Sequence, residues 1–301
     1  MMYHIPVLLH ECIDGLAIQP DGIYIDATFG GGGHSREIIK HLGPEGRLIG
    51  FDQDADAARN AIDDERFTLI RANFRHMRRF LRLEGITRVD GILADLGVSS
   101  FQFDEASRGF SYRFEGPLDM RMSQSDSLTA AEILNTYDAD SLQEMFGEYG
   151  EVRNARTLAQ AIVAHRAQST FKTTADLRAI CEQEGRGEIH RYMAQVYQAL
   201  RMEVNDELGA LKDVLTESRE LLGEGGRLAV ITFHSLEDRL VKNYMKHGTF
   251  DDEPVKDFFG NFEKPWKLIT KKPVVASSEE AKKNSRSLSA KLRVAERNTT
   301  L

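Results

Sequence analysis

Along the first hundred residues, short apolar runs rich in β-branched side chains alternate with stretches of helical periodicity. Residues 22–27 (GIYIDA) follow a Pro20-Asp21-Gly22 turn and predict a strand. This strand runs into four glycines, Gly30 to Gly33, and then into a helical pattern over 35–41 that Leu42-Gly43-Pro44 stops. Further strands are predicted at 47–51, 67–71 and 91–96, with a helix over 54–60 whose first turn carries aspartate. Strand and helix in alternation predict a parallel, doubly wound sheet.

The alternation stops between 99 and 205. An irregular stretch is followed there by candidate helices at 141–146, 155–166, 174–182 and 192–202, with a glycine-rich loop at 184–188 between the last two. The sheet pattern then resumes: a helix over 207–222, a glycine turn at 223–226, an apolar strand at 227–233, a helix from 235 through 240, and a closing strand at 290–295. Ordinary crossover connections are far shorter than the interruption. The chain therefore reads as one α/β sheet (1–104 and 206–301) carrying an inserted helical domain (105–205).

Composition narrows the class. Apolar residues make up 41 % of the 301 and charged residues 29 %, which excludes disorder or a fibrous repeat as the main theme. With 47 acids against 39 bases the net charge is -8, so a wholesale basic coat for nucleic acid is excluded. The charge is uneven, however. Residues 71–88 hold six arginines and one acid (Glu84), and residues 264–297 hold ten Lys or Arg and three acids, two islands suited to phosphate. Arg108 and Arg121, in the stretch after the fourth strand, are candidates for the backbone of a nucleic acid. No apolar run is long enough to cross a bilayer, and no signal peptide is read. The only cysteines, Cys12 and Cys181, fit a reducing, cytoplasmic setting. No metal site is read.

The candidate chemistry lies at the strand ends. Glycines between a strand and a helix let bare backbone approach a ligand, and the helix start offers unpaired amides. Asp52, at the end of the second strand and 22 residues past Gly30, is placed to accept from both hydroxyls of a ribose. Two cofactors share this geometry. A dinucleotide site prefers a small third glycine where this chain has Ser35. The acid ahead of the loop, Asp26, suits a donor bearing a sulfonium and an amino acid group, which tilts the reading from NAD to S-adenosylmethionine. Asp95 ends the fourth strand, where ligands of open α/β sheets collect. The acid-Pro-Pro-aromatic motif usual in amino methyltransferases acting on bases is absent after it. A nicotinamide-linked dehydrogenase and a non-catalytic assembly factor remain open as rivals on these residues alone.

The chain also resembles a known family. His4 to Leu9, Asp26 to Ser35, Asp90 to Ser100, Arg108 to Ser111, Gly116 to Met122, Val204 to Leu208, Phe233 to Arg239 and Lys291 to Arg297 are similar, in order, to blocks of the bacterial 16S rRNA (cytosine-N4)-methyltransferase family, often called MraW-like. GPLDMRM and FHSLEDR are its most specific segments. The resemblance implies a class I (Rossmann-like) S-adenosylmethionine-dependent sheet with a helical insertion, and methylation of the exocyclic N4 of a cytidine in the decoding region of small-subunit rRNA. It implies a cofactor pocket lined by Gly32, Gly33, His34, Asp52, Phe74, Asp95 and Gln102, with Asp95 also at the reacting centre. The partner would be 16S rRNA or the 30S subunit. The oligomeric state stays open between monomer and homodimer. Two segments depart from the family pattern: His190 to Ala199 lacks the usual His-Pro-Ala-Thr-Arg, and Asn284 to Ser289 lacks a proline and one arginine.

Overall fold

The apolar runs become strands because both faces of the sheet are covered. In the computed structural model, which describes residues 6–298 (the Ser100 side chain excepted), the chain divides into two compact units. One comprises Met1–Gly97 with Gly209–Leu301, the other Val98–Leu208. His4 and Ile5 of the N-terminal family block lie outside the described residues.

The first unit opens with α1 (Leu9–Leu16), followed by β1 (Ile23–Asp26), α2 (Gly33–His41), β2 (Arg47–Asp52), β3 (Phe67–Arg71), α3 (Met77–Leu83) and β4 (Val89–Asp95). The second unit supplies α4 (Ser100–Asp104), α5 (Ala130–Thr136), α6 (Ala139–Glu148), α7 (Ala155–Arg166), α8 (Thr174–Glu184) and α9 (Ile189–Val204). The chain then forms α10 (Glu207–Leu221), β5 (Leu222–Thr232), α11 (Ser235–His247), β6 (Trp266–Leu268), α12 (Ser278–Lys283) and β7 (Lys291–Arg297). The seven strands lie in the order β3-β2-β1-β4-β5-β7-β6. All neighbours from β3 through β5 pair in parallel, and β7 runs antiparallel between β5 and β6.

Successive strand residues point to opposite faces, and each face has its own cover. Ile25, Ile49, Ile92, Ala94, Leu228 and Val230 share one core with Met77 and Leu81 of α3, Leu211, Val214 and Leu215 of α10 and Val241, Tyr244 and Met245 of α11. Tyr24, Leu48, Leu93, Ala229 and Ile231 share the other with Cys12 and Leu16 of α1 and Ile38 and Ile39 of α2. The second unit is helical, with a core of its own that includes Ile133, Phe146, Leu158, Ile162, Leu177, Val196 and Leu200.

Residues 54–60 differ from the expected α-helix. Ala55–Asn60 is a 3₁₀ turn begun by the Asp54 side chain, which accepts from the Asp56 amide, and Ala57 is its one buried residue. A segment with no apolar stripe gains nothing from α-helical packing. Arg108 also departs from its expected surface role. It is buried, and its Nη2 donates to the carbonyls of Arg121 (2.9 Å) and Met122 (3.0 Å). Arg121 forks onto Asp119 (2.8 and 2.7 Å) and donates to the Asp126 carbonyl at 2.6 Å. These guanidiniums staple the GPLDMRM segment together. Among the described residues no helix is long and apolar enough to cross a membrane.

Candidate active site

Strand order locates the site. The chain runs outward from β1 to β2 and β3, then returns to β4 on the other side of β1, so the order reverses between β1 and β4. Crevices of doubly wound sheets open at the carboxyl ends of such neighbours. Asp26 ends β1, Asp52 ends β2 and Asp95 ends β4.

Asp26 is a clasp. Its Oδ1 accepts from the Thr28 amide at 3.1 Å and its Oδ2 from the Ser35 hydroxyl at 2.6 Å. Ser35, the residue that breaks the dinucleotide pattern, thereby ties the first turn of α2 to the end of β1. Burial raises the Asp26 carboxyl above its ordinary range against the opposing pull of His34, Ser35 and Thr28. Thr28 reaches the other way: its Oγ1 accepts from the Asp95 amide at 2.7 Å and joins the loop to β4.

The glycines serve different ends. Gly30 (φ +50) turns its amide onto Asp52 Oδ2 at 2.8 Å. Gly32, at φ +73, is the N-cap of α2, a backbone conformation costly for any residue with a side chain. A Cβ on Gly33 would lie 2.3 Å from Cγ of Pro6, so packing of the N-terminal segment alone demands glycine there. A Cβ on Gly31 would meet nothing within 4 Å. The loop is thus open on one flank and closed on the other.

Asp52 accepts from Gly30 through Oδ2 and from the Asp54 amide through Oδ1 at 2.8 Å. Burial pushes its carboxyl up to about 6; the two amides oppose this, and the charges of Asp54 and Asp26 add to it. His34 is buried, with Nε2 3.0 Å from the Val7 carbonyl oxygen. A carbonyl only accepts, so Nε2 carries hydrogen and Nδ1 turns toward Asp95 Oδ2, 3.8 Å away. Asp95 is likewise pushed up to about 6, first by burial and then by the charges of Asp26 and Glu237, with His34 opposing. Its Oδ1 is buried and has no hydrogen-bond partner among the described residues.

Phe74, half-buried, opens the 3₁₀ turn after β3. The preceding Asn73 donates from Nδ2 to Gln53 Oε1 at 2.9 Å, which draws that turn toward the end of β2. Gly32, Gly33, His34, Asp52, Phe74 and Asp95 therefore share the carboxyl edge of the sheet. Gln102 lies in the second unit. There Ser99 caps α4 while the Gln102 side chain accepts from the Ser99 amide at 3.0 Å, a reciprocal capping box. Sequence reasoning assigns no role to Glu237, which is buried at the start of α11 and accepts from the Phe233 amide at 2.8 Å. The spacing His234-x-x-Glu237, a capping pattern with histidine in the serine position, is the signal that could have found it.

Three carboxylates, bare amides, an open glycine flank and an aromatic suit a ligand with positive charge and hydroxyls. A pyrophosphate would meet the acids of all three strand ends. Part of the expected basic island is consumed internally: Arg75 pairs with Asp213, and Arg78 donates its amide to Glu217 and faces Glu220 at 3.9 Å. Arg71, Arg79, Arg82 and Arg88 are exposed, as are Lys271, Lys272 and Lys282.

The fold is that of a doubly wound α/β protein with three acids at the carboxyl ends of the strands about its switch point and a helical unit following β4. The family model for MraW methylases matches residues 1–298, and the chain belongs to that family; the mixed α/β sheet expected from the sequence is present, with seven strands. It is similar to the ribosomal RNA small subunit methyltransferase H of Flavobacterium psychrophilum, 56 % identical over 291 residues that cover 96 % of this chain and 100 % of the relative. The protein of the same name from Flavobacterium johnsoniae is 54 % identical over 298 residues, covering 99 % of this chain and 98 % of the relative. That from Bacteroides thetaiotaomicron is 52 % identical over 298 residues, covering 99 % and 98 %.

Proposed function

We propose that the protein transfers a methyl group from S-adenosylmethionine to the exocyclic N4 of a cytidine in the decoding region of small-subunit rRNA. Its family and the names of its relatives support rRNA of the small subunit as substrate. The observation that carries the chemistry is Asp95: a half-buried carboxylate at the switch point whose Oδ1 is buried and unpartnered, with two further acids, Asp26 and Asp52, at the neighbouring strand ends.

The residues fit this donor. Each Asp52 oxygen already takes one amide and retains a lone pair, so the two together accept both ribose hydroxyls. Phe74 offers a ring face to adenine. The amides of Gly33 and His34, at the start of α2, face the amino acid end; the Gly32 amide donates to the Phe29 carbonyl at 2.7 Å, so Gly32, like Gln102, is assigned to the donor on the family resemblance alone. A cationic ligand relieves the mutual repulsion of Asp26, Asp52 and Asp95. When bound, the donor supplies an electrophilic methyl group on a sulfonium.

A cytosine amine is a weak nucleophile because its lone pair is conjugated with the ring. The Asp95 carboxylate accepts from that amine, orients it, and stabilises the positive charge that grows on nitrogen as the N–C bond forms and the S–C bond of the donor breaks. Alignment of the two reactants contributes about 7–11 kcal/mol at best. Beside the cationic donor Asp95 is ionised, and the proton lost from the amine after transfer passes to it or to water. The exposed cations at 71–88 and 271–282 hold phosphates, and the helical unit selects the rRNA. N4 is engaged inside a duplex, so the target is unpaired or flipped out.

The test is transfer of labelled methyl from S-adenosylmethionine to 30S subunits and to 16S rRNA, followed by mass-spectrometric mapping. One N4-methylated cytidine is expected, with Asp95→Asn slowed by about 10²–10³. A labelled carbon or oxygen, or native rates from the variant, overturns the assignment.

A further inference from the structure

The segment between α11 and β6 belongs to no part of the site. It is anchored at both ends. Phe250 stacks on Tyr244 (ring centroids 4.9 Å apart), and Asn243 donates to the Phe250 carbonyl at 3.2 Å and to Asp252 at 3.0 Å. At the exit Glu263 pairs with Arg219, and Trp266 is buried. Between the anchors lies a built turn. Asp257 Oδ1 accepts from the amides of Phe259 (2.9 Å) and Asn261 (2.8 Å), and the Asp257 amide donates to the Asn261 carbonyl at 2.8 Å. Gly260 closes the turn at φ +86. At its tip two aromatic rings stand in water: Phe258 is 98 % exposed and Phe259 84 %, set edge to face at 5.6 Å, with Val255 nearby at 80 %.

Single exposed apolar residues need no explanation, but an adjacent pair displayed by a hydrogen-bonded clamp is costly to keep in water. Bases stacking on aromatics offer one use, and surfaces that do so line the groove with positive charge. This segment does the reverse. From Asp251 to Glu263 it holds five acids and one base, Lys256. Phosphates and anionic lipid are both repelled. The charge complements a cationic protein surface with an apolar recess, and aromatic anchors are what such a contact uses.

We propose that the Phe258-Phe259 turn is a docking tip for a basic protein carried by the ribosomal subunit, distinct from the surfaces that hold rRNA. This rests on the small-subunit substrate proposed above. The experiment places p-benzoylphenylalanine at position 259 of the full chain and irradiates the complex with purified 30S subunits. Adducts that survive ribonuclease and fall with protease are expected; adducts in rRNA, or none from a bound complex, overturn the proposal. In parallel, Phe258→Ser/Phe259→Ser weakens binding to 30S subunits by about tenfold or more while its affinity for S-adenosylmethionine and its melting temperature stay native. Undiminished binding to subunits also overturns it. Loss of methyl transfer from every substrate, with the cross-link to protein intact, would instead refute the catalytic reading and leave the docking tip standing.

Discussion

If the proposed site holds S-adenosylmethionine, acidification should weaken its binding steeply, because burial raises two of the carboxyls assigned to it. Asp52 and Asp95 both titrate near 6 in the free protein, and a cationic ligand prefers both ionised. At about pH 5 a group of pKa about 6 is ionised to about one part in eleven, so each acid costs about tenfold in affinity. Together they cost about a hundredfold relative to about pH 7.5, or about 2.7 kcal/mol. The ligand's own charge changes little by comparison, since a sulfonium does not titrate and an α-amino group of pKa about 7.7–8.0 loses only about a quarter to two-fifths of its proton by about pH 7.5, an effect of less than about twofold. Calorimetry at about pH 6 in buffers of different ionisation enthalpy should register release of about one proton per ligand bound. Asp52→Asn should bind more weakly at neutral pH and flatten the dependence to about tenfold. Affinity independent of pH, or proton uptake on binding, would refute the electrostatic account of the pocket. Free-protein stability runs the opposite way. The folded state holds protons on these acids between about pH 4 and 6 that the unfolded chain has lost, so stability falls as pH rises through that window, by about 1.4 kcal/mol per pKa unit.

Gly33→Ala drives a Cβ against Pro6 and should cost about 1–3 kcal/mol in urea unfolding; native stability would show that the N-terminal segment simply moves aside. Arg108→Ala strands the carbonyls of Arg121 and Met122 and should destabilise the helical unit by about 1–3 kcal/mol, and a protein that unfolds like the native one rules out the staple. Arg79→Glu/Arg82→Glu should weaken rRNA binding and lower the slope of log affinity against log salt by about 1 for each phosphate no longer neutralised. An unchanged slope would remove this face from the RNA path.

The pattern of apolar residues is most informative where burial is two-sided. α7 occupies the expected 155–166 because a well-spaced apolar stripe admits one solution, and β3 occupies the expected 67–71 although it is an edge strand with no fully buried residue, its run of apolar and β-branched side chains being enough to mark it. The acids at the ends of β1, β2 and β4 are legible for the same reason, since a charged residue closing an apolar run marks where the strand leaves the core. α1 is not legible: it starts at a left-handed Leu8 with no capping side chain and stops at a left-handed Ala17, where glycine is the usual signal. β6 is three residues long and exists by pairing with β7, which no local pattern announces. α5 carries a readable sign, the Thr129–Glu132 capping box, although no helix was expected there. Arg108 shows the remaining limit. Its charge is visible in the sequence, but its inward direction is set by carbonyls 13 and 14 residues away.

The amide of Leu8 donates to Glu280 Oε1 at 2.8 Å, across 272 residues of chain, while the neighbouring Val7 carbonyl holds the His34 ring. A nascent chain therefore lacks this tether on the segment that packs against the glycine loop until α12 has emerged from the exit tunnel. Products of incomplete translation, which end before residue 280, are left without it.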